Sequence, residues 1–328
     1  MIVRTCVLTL ALAASCAARA SAQDFDANYT GTFSIIGLDP TTGELGMAVQ
    51  SKAFAVGNRT VTGKGGLVVL AHQAQSNPMY GALAIQLVQA GMTPQQALDQ
   101  IVRSDEGRER RQVAILDIHG NGAAWTGSGA SDWKGHTCGK SYCAQGNSLA
   151  GPEVVNDMAR TFETTTGPLA DRLMASLDAA QAAGGDARGM QGASITIFKP
   201  LAGAAGWSDR MIDLRVDDHR TPLVELRRLL DIYWSGQLII EGNQKINSGD
   251  VQEGLRILAT ARDKSPSNDN AWVALASGYL KAGRKIEALE AVSKAVEINP
   301  AAKRGLQRNT NFASISGDPE FVRLVSAK

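Results

Sequence analysis

Apolar and polar positions near the start of the chain follow the period of strands and then that of helices. The runs "TFSIIGLD" and "ELGMAVQSKAFAVG" flank the turn "PTTG" and predict an antiparallel hairpin. "GGLVVLAHQA" predicts a third strand that is buried on both faces. Helical spacing follows in "NPMYGALAIQLVQAG" and "TPQQALDQIVRSD", where Thr93 and Pro94 suit the cap and the first position of the second helix.

The same order of elements recurs further along the chain. "RQVAILDIHGNGAAWTGSG" predicts a second hairpin, because "HGNG" favours a tight turn, and "KSYCAQGNSLAG" predicts another strand. "PEVVNDMARTFETT" and "PLADRLMASLDAAQAAG" have helical spacing, whereas "GASITIFKP" and "MIDLRVDD" return to strands. This order favours the α+β class, with two sheets face to face and helices outside, over a doubly wound parallel fold.

A 34-residue period begins after the amphipathic stretch "TPLVELRRLLDIYW". Positions related by this period are Leu238, Trp272 and Leu306, and also Gly249, Gly283 and Gly317. The unit "WVALASGYLKAGRKIEALEAVSKAVEINP" resembles the tetratricopeptide (TPR) consensus, and the third unit is truncated. The resemblance implies an all-α domain with a concave surface for a peptide or protein partner. The alternative is an appendage that stabilises the rest of the chain or a dimer.

The first residues have the features of a secretory signal peptide. Arg4 supplies the positive charge, "VLTLALAA" an apolar run too short to span a bilayer, and Ala20-Ser21-Ala22 a cleavage site. We therefore expect cleavage before Gln23 and an exported protein, periplasmic or secreted. Lipidation at Cys16 is the alternative, although "AAS" before it lacks the large aliphatic residue of a lipoprotein signal.

Length and composition agree with an exported protein of two domains, because 328 residues exceed the usual size of one core. The predicted segments are a signal peptide (1–22), a short extension (23–31), the α+β domain (32–219), a linking helix (220–236) and the TPR-like repeats (237–328). Loss of Arg4 and Arg19 with the signal peptide leaves 31 basic against 32 acidic groups. This balance argues against a nucleic-acid partner, an acidic tail or disorder, and we also expect no membrane span.

Only two cysteines, Cys138 and Cys143, remain after removal of the signal peptide. A disulfide is plausible in an oxidising compartment, but their spacing does not fix the Cβ geometry, so two free thiols are the alternative. Four His and no second Cys pair disfavour a zinc site. "RVDDH" gathers acidic side chains and His219, but a strand end explains it equally well, so we expect neither a metal nor another cofactor.

Candidate chemistry lies at Thr32, where the first strand begins. A Thr hydroxyl is a poor nucleophile unless a base takes its proton, and a free α-amino group with a pKa near 8 can be that base. A cut between Gly31 and Thr32 would give Thr32 both roles, and Gly tolerates a strained scissile bond best. Ser34 points to the same face of the strand, so it either shapes the site, replaces the nucleophile or is a hydroxyl at the core edge.

Six stretches of the segment 32–219 carry a resemblance to a known family: "TFSI", "GELGMAVQSKAFAVG", "QAQSNPMYG", "AQGNSLAG", "GGDARGMQGAS" and "DLRVDDH". The segment resembles domain-of-unknown-function family 1028, an uncharacterised bacterial family of the N-terminal-nucleophile (Ntn) hydrolase superfamily. The resemblance implies a four-layer αββα sandwich with the nucleophile at Thr32. Many relatives begin with Met directly before this Thr. Here "QDFDANYTG" would remain after signal cleavage, so a second cut after Gly31 is required.

Other catalytic candidates surround this motif. The turn at Ser76 and Asn77 would present N–H groups to an oxyanion, or would simply cap the next helix. Lys52 would lower the pKa of the Thr32 amine or hydroxyl, as a Lys does in proteasome-like members; Lys64 is a rival, and either is alternatively a solvated strand-end residue. Asn147 would bind substrate or the α-amine, or is a loop Asn.

Four residues are candidates for substrate binding. Gln73 and Tyr80 belong to the matching stretch "QAQSNPMYG". Asp186 and Arg188 lie in a Gly-rich loop, where Arg would clamp a substrate carboxylate, or the two form a surface pair.

The expected function is therefore an exported Ntn-type amidohydrolase that cleaves a small amide or peptide-like bond without a cofactor. The alternative is a non-catalytic Ntn-fold binding module whose TPR half docks an envelope protein. A homodimer through the helical layers is a further expectation, since sandwich domains of this superfamily often pair in this way.

Overall fold

A computed structural model describes residues 31–203 and 206–326 of the protein. The predicted signal peptide and residues 23–30 of the predicted extension lie outside the described residues.

Ten strands and four helices form the first part of the described chain, from residue 31 to residue 216. They are β1 (Thr32–Asp39), β2 (Glu44–Ser51), β3 (Val61–Lys64), β4 (Val68–Ala74), α1 (Met79–Gln89), α2 (Pro94–Ser104), β5 (Arg111–Asp117), β6 (Gly122–Thr126), β7 (Gly135–Gly139), β8 (Tyr142–Asn147), α3 (Glu153–Thr164), α4 (Leu169–Ala182), β9 (Gly192–Phe198) and β10 (Arg210–Val216).

The strands form two antiparallel sheets that pack face to face. The larger sheet has the order β10-β9-β2-β1-β8-β7, and the smaller one has the order β3-β4-β5-β6. Helices α3 and α4 cover the outer face of the larger sheet, and α1 and α2 cover the outer face of the smaller one. The general α+β class predicted from the sequence is confirmed.

Three apolar layers hold this arrangement together. The space between the sheets is filled by side chains from both, including Ile36, Leu38, Met47, Val69 and Leu116. Separate outer cores lie beneath α1 and α2 and beneath α3 and α4. Each sheet therefore buries both of its faces, which explains why β4 and β9 are buried along nearly their whole length despite being antiparallel.

Helix α5 (Pro222–Asn247) joins this part of the chain to the remaining helices without a break. Its first turns belong to the outer core of the larger sheet through Leu223, Leu226 and Leu230. The Trp234 indole N–H also donates to the Asp171 carboxylate of α4, at 3.2 Å. The predicted boundary at residue 237 thus falls inside one continuous helix, because the apolar face of this helix continues through it.

The C-terminal part is helical. It contains α6 (Val251–Lys264), α7 (Asp269–Lys281), α8 (Lys285–Ile298), α9 (Ala302–Arg308), a 3₁₀ segment (Thr310–Ile315) and α10 (Pro319–Val325). Successive helices from α5 to α8 pack against one another. Gly249 and Gly283 follow α5 and α7 with positive φ, a conformation that favours glycine, so the 34-residue period of these glycines marks two equivalent turns.

Within the described ranges, no helix combines the length and apolar character needed to cross a membrane. Cys138 on β7 and Cys143 on β8 face each other across the hairpin and are joined by a disulfide.

Candidate functional site

The space between the sheets is apolar along most of its length and polar at one end. Alternation along β1 directs Phe33 and Ile35 into the outer core beneath α3 and α4. It directs Thr32, Ser34 and Ile36 towards the smaller sheet, and only Ile36 joins the apolar layer there. The first two inward positions of β1 are hydroxyl residues, so they lie where this layer becomes polar.

A network of buried amides connects this end of the two sheets. Gln73 of β4 accepts a hydrogen bond from the Ser34 hydroxyl at 2.6 Å and donates to the Thr32 carbonyl oxygen at 3.1 Å. Gln112 of β5 accepts from the amide groups of Gln73 and Asn147, at 2.8 and 2.9 Å. All of these side chains are at least nine-tenths buried. The network therefore joins β1 and β8 of the larger sheet to β4 and β5 of the smaller sheet, next to Thr32.

The Asn147 side chain lies in register with Thr32 across the β1–β8 ladder. Its amide nitrogen donates to Gln112, but its oxygen has no hydrogen-bond partner among the described residues, although it is fully buried. An acceptor buried without a partner costs free energy, so this oxygen is suited to accept from a further donor at the site.

The Gly31–Thr32 peptide is surrounded by polar groups. The Thr32 hydroxyl oxygen lies 2.5 Å from the Gly31 carbonyl oxygen and 3.1 Å from the hydroxyl oxygen of Ser51, at the end of β2. The same carbonyl accepts hydrogen bonds from the Ser51 hydroxyl and from Nη2 of Arg188, the latter at 2.8 Å. Three donors, the hydroxyls of Thr32 and Ser51 and the Arg188 guanidinium, thus converge on one carbonyl oxygen, and Thr32 is only 6 % exposed.

Arg188 is held in place by Asp186. The guanidinium donates twice to the Asp186 carboxylate, from Nε at 3.0 Å and from Nη2 at 2.7 Å. The carboxylate side chain is fully buried and also accepts from the backbone N–H groups of Lys52 and Arg188. This bidentate, charge-assisted pair orients the guanidinium towards the Gly31 carbonyl, so the two residues are more than a solvated surface pair.

Lys52 contributes its backbone rather than its charge to this arrangement. Its ammonium group is exposed and lies 3.4 Å from the Met190 carbonyl oxygen. Lys64 donates to the Gln89 side chain at 2.9 Å on the exposed surface of β3 and α1. The ammonium contacts of both lysines therefore differ from those expected of a group that acts on Thr32.

Ser76, Asn77 and Tyr80 belong to a second polar group on the outer face of the smaller sheet. The Ser76 hydroxyl lies 2.8 Å from Nδ1 of His72, while Asn77 and Tyr80 donate to the Asp105 carboxylate at 3.3 and 2.8 Å. Adjacent residues of β4 point to opposite faces, so His72 joins this group whereas Gln73 joins the Thr32 network. The Asn77 side-chain oxygen also accepts from the Met79 backbone N–H in the turn that precedes α1, whose N-cap is Pro78.

The charges of this second group are set by burial and pairing. Burial lowers the pKa of His72 to about 4, so the ring is neutral near pH 7. Burial alone would raise the pKa of Asp105, but hydrogen bonds from Tyr80 and Arg111 outweigh it and lower the pKa to about 2. The carboxylate therefore stays ionised and anchors α1 to the loop after α2.

Metal-binding geometry is absent from the described part of the chain, where no three His, Cys, Asp or Glu side chains converge. In the "RVDDH" stretch, Asp218 accepts from Gln191, and His219 Nδ1 accepts from the Thr221 backbone N–H. A surface cleft of about 490 Å³ lies between α2 and β6, and its walls include Leu98, Val102 and Trp125. Thr32 and its neighbours do not line that cleft.

Three members of the site were missed by sequence reasoning. Ser51 donates to the Gly31 carbonyl, Gln112 links both sheets, and Gln145 donates to the Ala71 carbonyl at 3.3 Å. The available signal was a polar residue at an inward position of an otherwise buried strand, as in "RQVAILD" of β5. Such a residue must be hydrogen-bonded in the interior, so it marks a polar layer.

Comparison with known proteins identifies the first part of the chain. The model of a family described as "Family of unknown function (DUF1028)" matches residues 32–226. The crystal structure of protein SPO2555 from Silicibacter pomeroyi, described as a DUF1028 family protein, is similar at 32 % sequence identity with a TM-score of 0.57. The similarity covers 61 % of this chain and 85 % of that one. No curated protein matches the chain.

Proposed function

Since the chain belongs to the family of unknown function DUF1028, its site has to indicate its activity, and we propose that it is an exported amidohydrolase of the Ntn type. It would cleave a small amide or peptide-like bond with Thr32 as the nucleophile. The observation that carries the proposal is the Gly31 carbonyl, which lies between the Thr32 hydroxyl and two donors, Ser51 and Arg188.

The position of Thr32 in the fold supports this assignment. Two sheets lie between two helix pairs, the layer order expected of an Ntn sandwich. Thr32 is the first residue of β1, an interior strand of the larger sheet. A new N-terminus at this residue would be held on both sides by β2 and β8, so its amine and hydroxyl would be fixed relative to each other.

The first reaction of the proposed cycle is removal of the segment that ends at Gly31. The Thr32 hydroxyl oxygen attacks the Gly31 carbonyl carbon, and the charge that develops on the carbonyl oxygen is stabilised by Ser51 and Arg188. The C–N bond breaks, the hydroxyl proton passes to the leaving nitrogen, and an ester forms. Water then hydrolyses the ester, which releases a carboxylate on Gly31 and leaves Thr32 with a free amine and a restored hydroxyl.

Turnover of a substrate would use the same groups. The free α-amine takes the Thr32 hydroxyl proton as the oxygen attacks the substrate carbonyl, and then passes a proton to the departing amine. The acyl ester is hydrolysed by water, and the Asn147 oxygen, buried and without a partner in the uncut chain, accepts from the α-amine. Gln73 and Asp186 act as positioning residues, because they hold the Thr32 backbone and Arg188 respectively.

The proposal is tested by determining which residue is N-terminal after the full-length chain has been expressed and exported. Intact mass and N-terminal sequencing should give a chain that begins at Thr32. Thr32→Ala should give a chain that begins at Gln23 and has no amidase activity, whereas Thr32→Ser keeps a hydroxyl and should still be cut. Thr41→Ala, in the exposed turn after β1, is the matched control and should behave as the wild type. An intact Gly31–Thr32 bond in the wild-type protein would overturn the proposal.

The C-terminal helices are proposed to be TPR-type repeats. Glycine lies where paired helices approach closely: a Cβ at Gly242 would be 2.8 Å from Leu258, and one at Gly254 would be 2.4 Å from Ile246. Such spacing between the two helices of a unit, together with the 34-residue period, is typical of TPR packing. Two full units and a truncated third would present a short concave face, suited to one peptide or envelope protein.

A binding module without catalysis is the second candidate, and burial of the uncut site favours it. Gly31 is buried and its carbonyl is fully occupied, so in a chain that stays uncut no substrate carbonyl reaches the Thr32 hydroxyl. A mature chain beginning at Gln23, with partner capture that depends on residues 237–328, would support this candidate. A chain beginning at Thr32 with Thr32-dependent hydrolysis would exclude it.

A further inference from the structure

The space around the α-carbon of Gly31 is closed on the side where a side chain would lie. A Cβ built on Gly31 would be 2.5 Å from Nη2 and 2.7 Å from Nε of Arg188. It would also be 2.7 Å from the Cβ of Ser148. Real Cβ atoms essentially never approach other heavy atoms this closely, so an L side chain at this position forces a neighbouring group to move.

Neither Arg188 nor Ser148 can move easily to make room for this Cβ. Arg188 is fixed by its bidentate pair with Asp186, whose side chain is fully buried. The Cβ of Ser148 is attached to a backbone that donates its N–H to the Ser131 carbonyl, and its own carbonyl accepts from Ala187 N–H at 2.9 Å. Arg188 and Ser148 therefore cannot move apart independently, since the loop that carries Arg188 is hydrogen-bonded to the segment after β8 that carries Ser148.

The same space must receive the acyl part of a substrate. Thr32 attacks only a carbonyl whose carbon lies within reach of its hydroxyl, and among the described residues Ser51 and Arg188, besides the Thr32 hydroxyl itself, donate to a carbonyl oxygen there. The Thr32 ester formed from a substrate is the same kind of ester as the one formed in the cut after Gly31. When Ser51 and Arg188 hold the carbonyl oxygen of that ester, its α-carbon lies beside the same two neighbours, Arg188 and Ser148, that exclude a Cβ from Gly31. The restriction on Gly31 therefore becomes a restriction on the substrate.

We infer that the site is specific for glycyl amides, that is, for peptide-like bonds whose acyl side is glycine or another group without an L side chain on the α-carbon. This inference rests on the proposed function and names its substrate class. In the reaction, the bond between the glycyl carbonyl carbon and the amide nitrogen breaks, the Thr32 oxygen carries the glycyl group as an ester, and water releases it as a carboxylate. The segment that ends at Gly31 is the first substrate of this kind.

The first part of the test follows the cut after Gly31 in the full-length chain. Gly31→Ala should slow the appearance of the chain beginning at Thr32 by roughly 10- to 100-fold, as followed by intact mass. Gly151→Ala is the matched control, because a Cβ there meets no atom within 4 Å. Urea unfolding of both variants shows whether they are folded. Cutting of Gly31→Ala at the wild-type rate would overturn the inference.

The second part uses the processed wild-type protein and therefore does not depend on how Gly31→Ala folds. Acetylglycyl and acetyl-L-alanyl amides of 7-amino-4-methylcoumarin are compared by kcat/KM, and the glycyl amide should be preferred by at least about tenfold. Equal hydrolysis of both, lost in Thr32→Ala, would overturn the glycyl specificity and leave the proposed function intact. An uncut wild-type chain without Thr32-dependent hydrolysis of either amide would overturn both.

Discussion

Replacement of Gln112 by Ala should destabilise the fold more than any exposed Gln replacement, because its amide joins both sheets. The Asn147 amide nitrogen would lose the only partner that the described residues provide for it, and the Gly146 carbonyl would lose one at 2.8 Å. Gln73 would keep its bond to the Thr32 carbonyl. A buried polar group without a partner costs about 1–3 kcal/mol, so the expected loss in the free energy of unfolding is about 2–4 kcal/mol.

The measurement is urea unfolding followed by far-ultraviolet circular dichroism at pH 7. Gln100→Ala is the matched control, since this glutamine lies exposed on α2 and its replacement should change the free energy of unfolding by less than about 0.5 kcal/mol. Equal unfolding midpoints for the two variants would show that the amide network adds nothing to the stability of the sandwich. The buried amides would then not hold the Thr32 backbone in place.

Three further changes test other parts of the structure by the same unfolding assay. Asp186→Asn should lower the free energy of unfolding by about 2–3 kcal/mol, because it leaves a partly buried guanidinium without its counter-charge. Glu253→Gln breaks an exposed, solvent-screened pair and should lower it far less, and equal losses would refute the role of burial. Reduction of the Cys138–Cys143 disulfide, which closes a very short loop, should cost about 2 kcal/mol, and no change on adding a reductant would contradict this. His72 has a pKa of about 4 in the folded chain against 6.5 when exposed, so its unfolded form binds more protons and stability should fall, by at most about 3 kcal/mol, as pH drops from 6.5 to 4. His72→Gln should remove that part of the pH dependence, and an unchanged profile would show that another group causes it.

The sequence predicted the strongly patterned elements of the fold and missed the weak ones. The four helices of the sandwich have the boundaries expected from their apolar periods and caps, within a few residues. The β1–β2 hairpin forms as expected, but β2 ends at Ser51, whereas the predicted run continued to Gly57. Strands β3 and β7 were not predicted. Both are edge strands, each with a neighbour on one side only, and their residues are largely half-buried or exposed. They are strands because a neighbour supplies hydrogen bonds, which a local pattern does not reveal.

The site was predictable where chemistry and strand period agree. Thr32 and Ser34 share a face by the two-residue period of β1, and both lie in the buried polar network. Ser76 was predicted from the turn before α1, and Tyr80 from one matching stretch. Both lie apart from Thr32, because neighbouring residues of β4 point to opposite faces of the sheet and His72 directs this group outwards. Ser51 could not be predicted, because its partner, the Gly31 carbonyl, lies 20 residues away in sequence.

The two proposed functions differ in whether the Gly31–Thr32 peptide bond is intact or cut. In the uncut chain the Gly31 carbonyl accepts from Ser51 and Arg188, so the chain itself fills the place that a substrate carbonyl needs. A cut after Gly31 removes this carbonyl and at the same time creates the amine that activates Thr32. A molecule that keeps the segment ending at Gly31 therefore cannot use Thr32 for catalysis. In any preparation, the fraction of chains that begin at Thr32 should equal the fraction that an acylating inhibitor titrates, and more titrated sites than cut chains would show that the nucleophile is not Thr32.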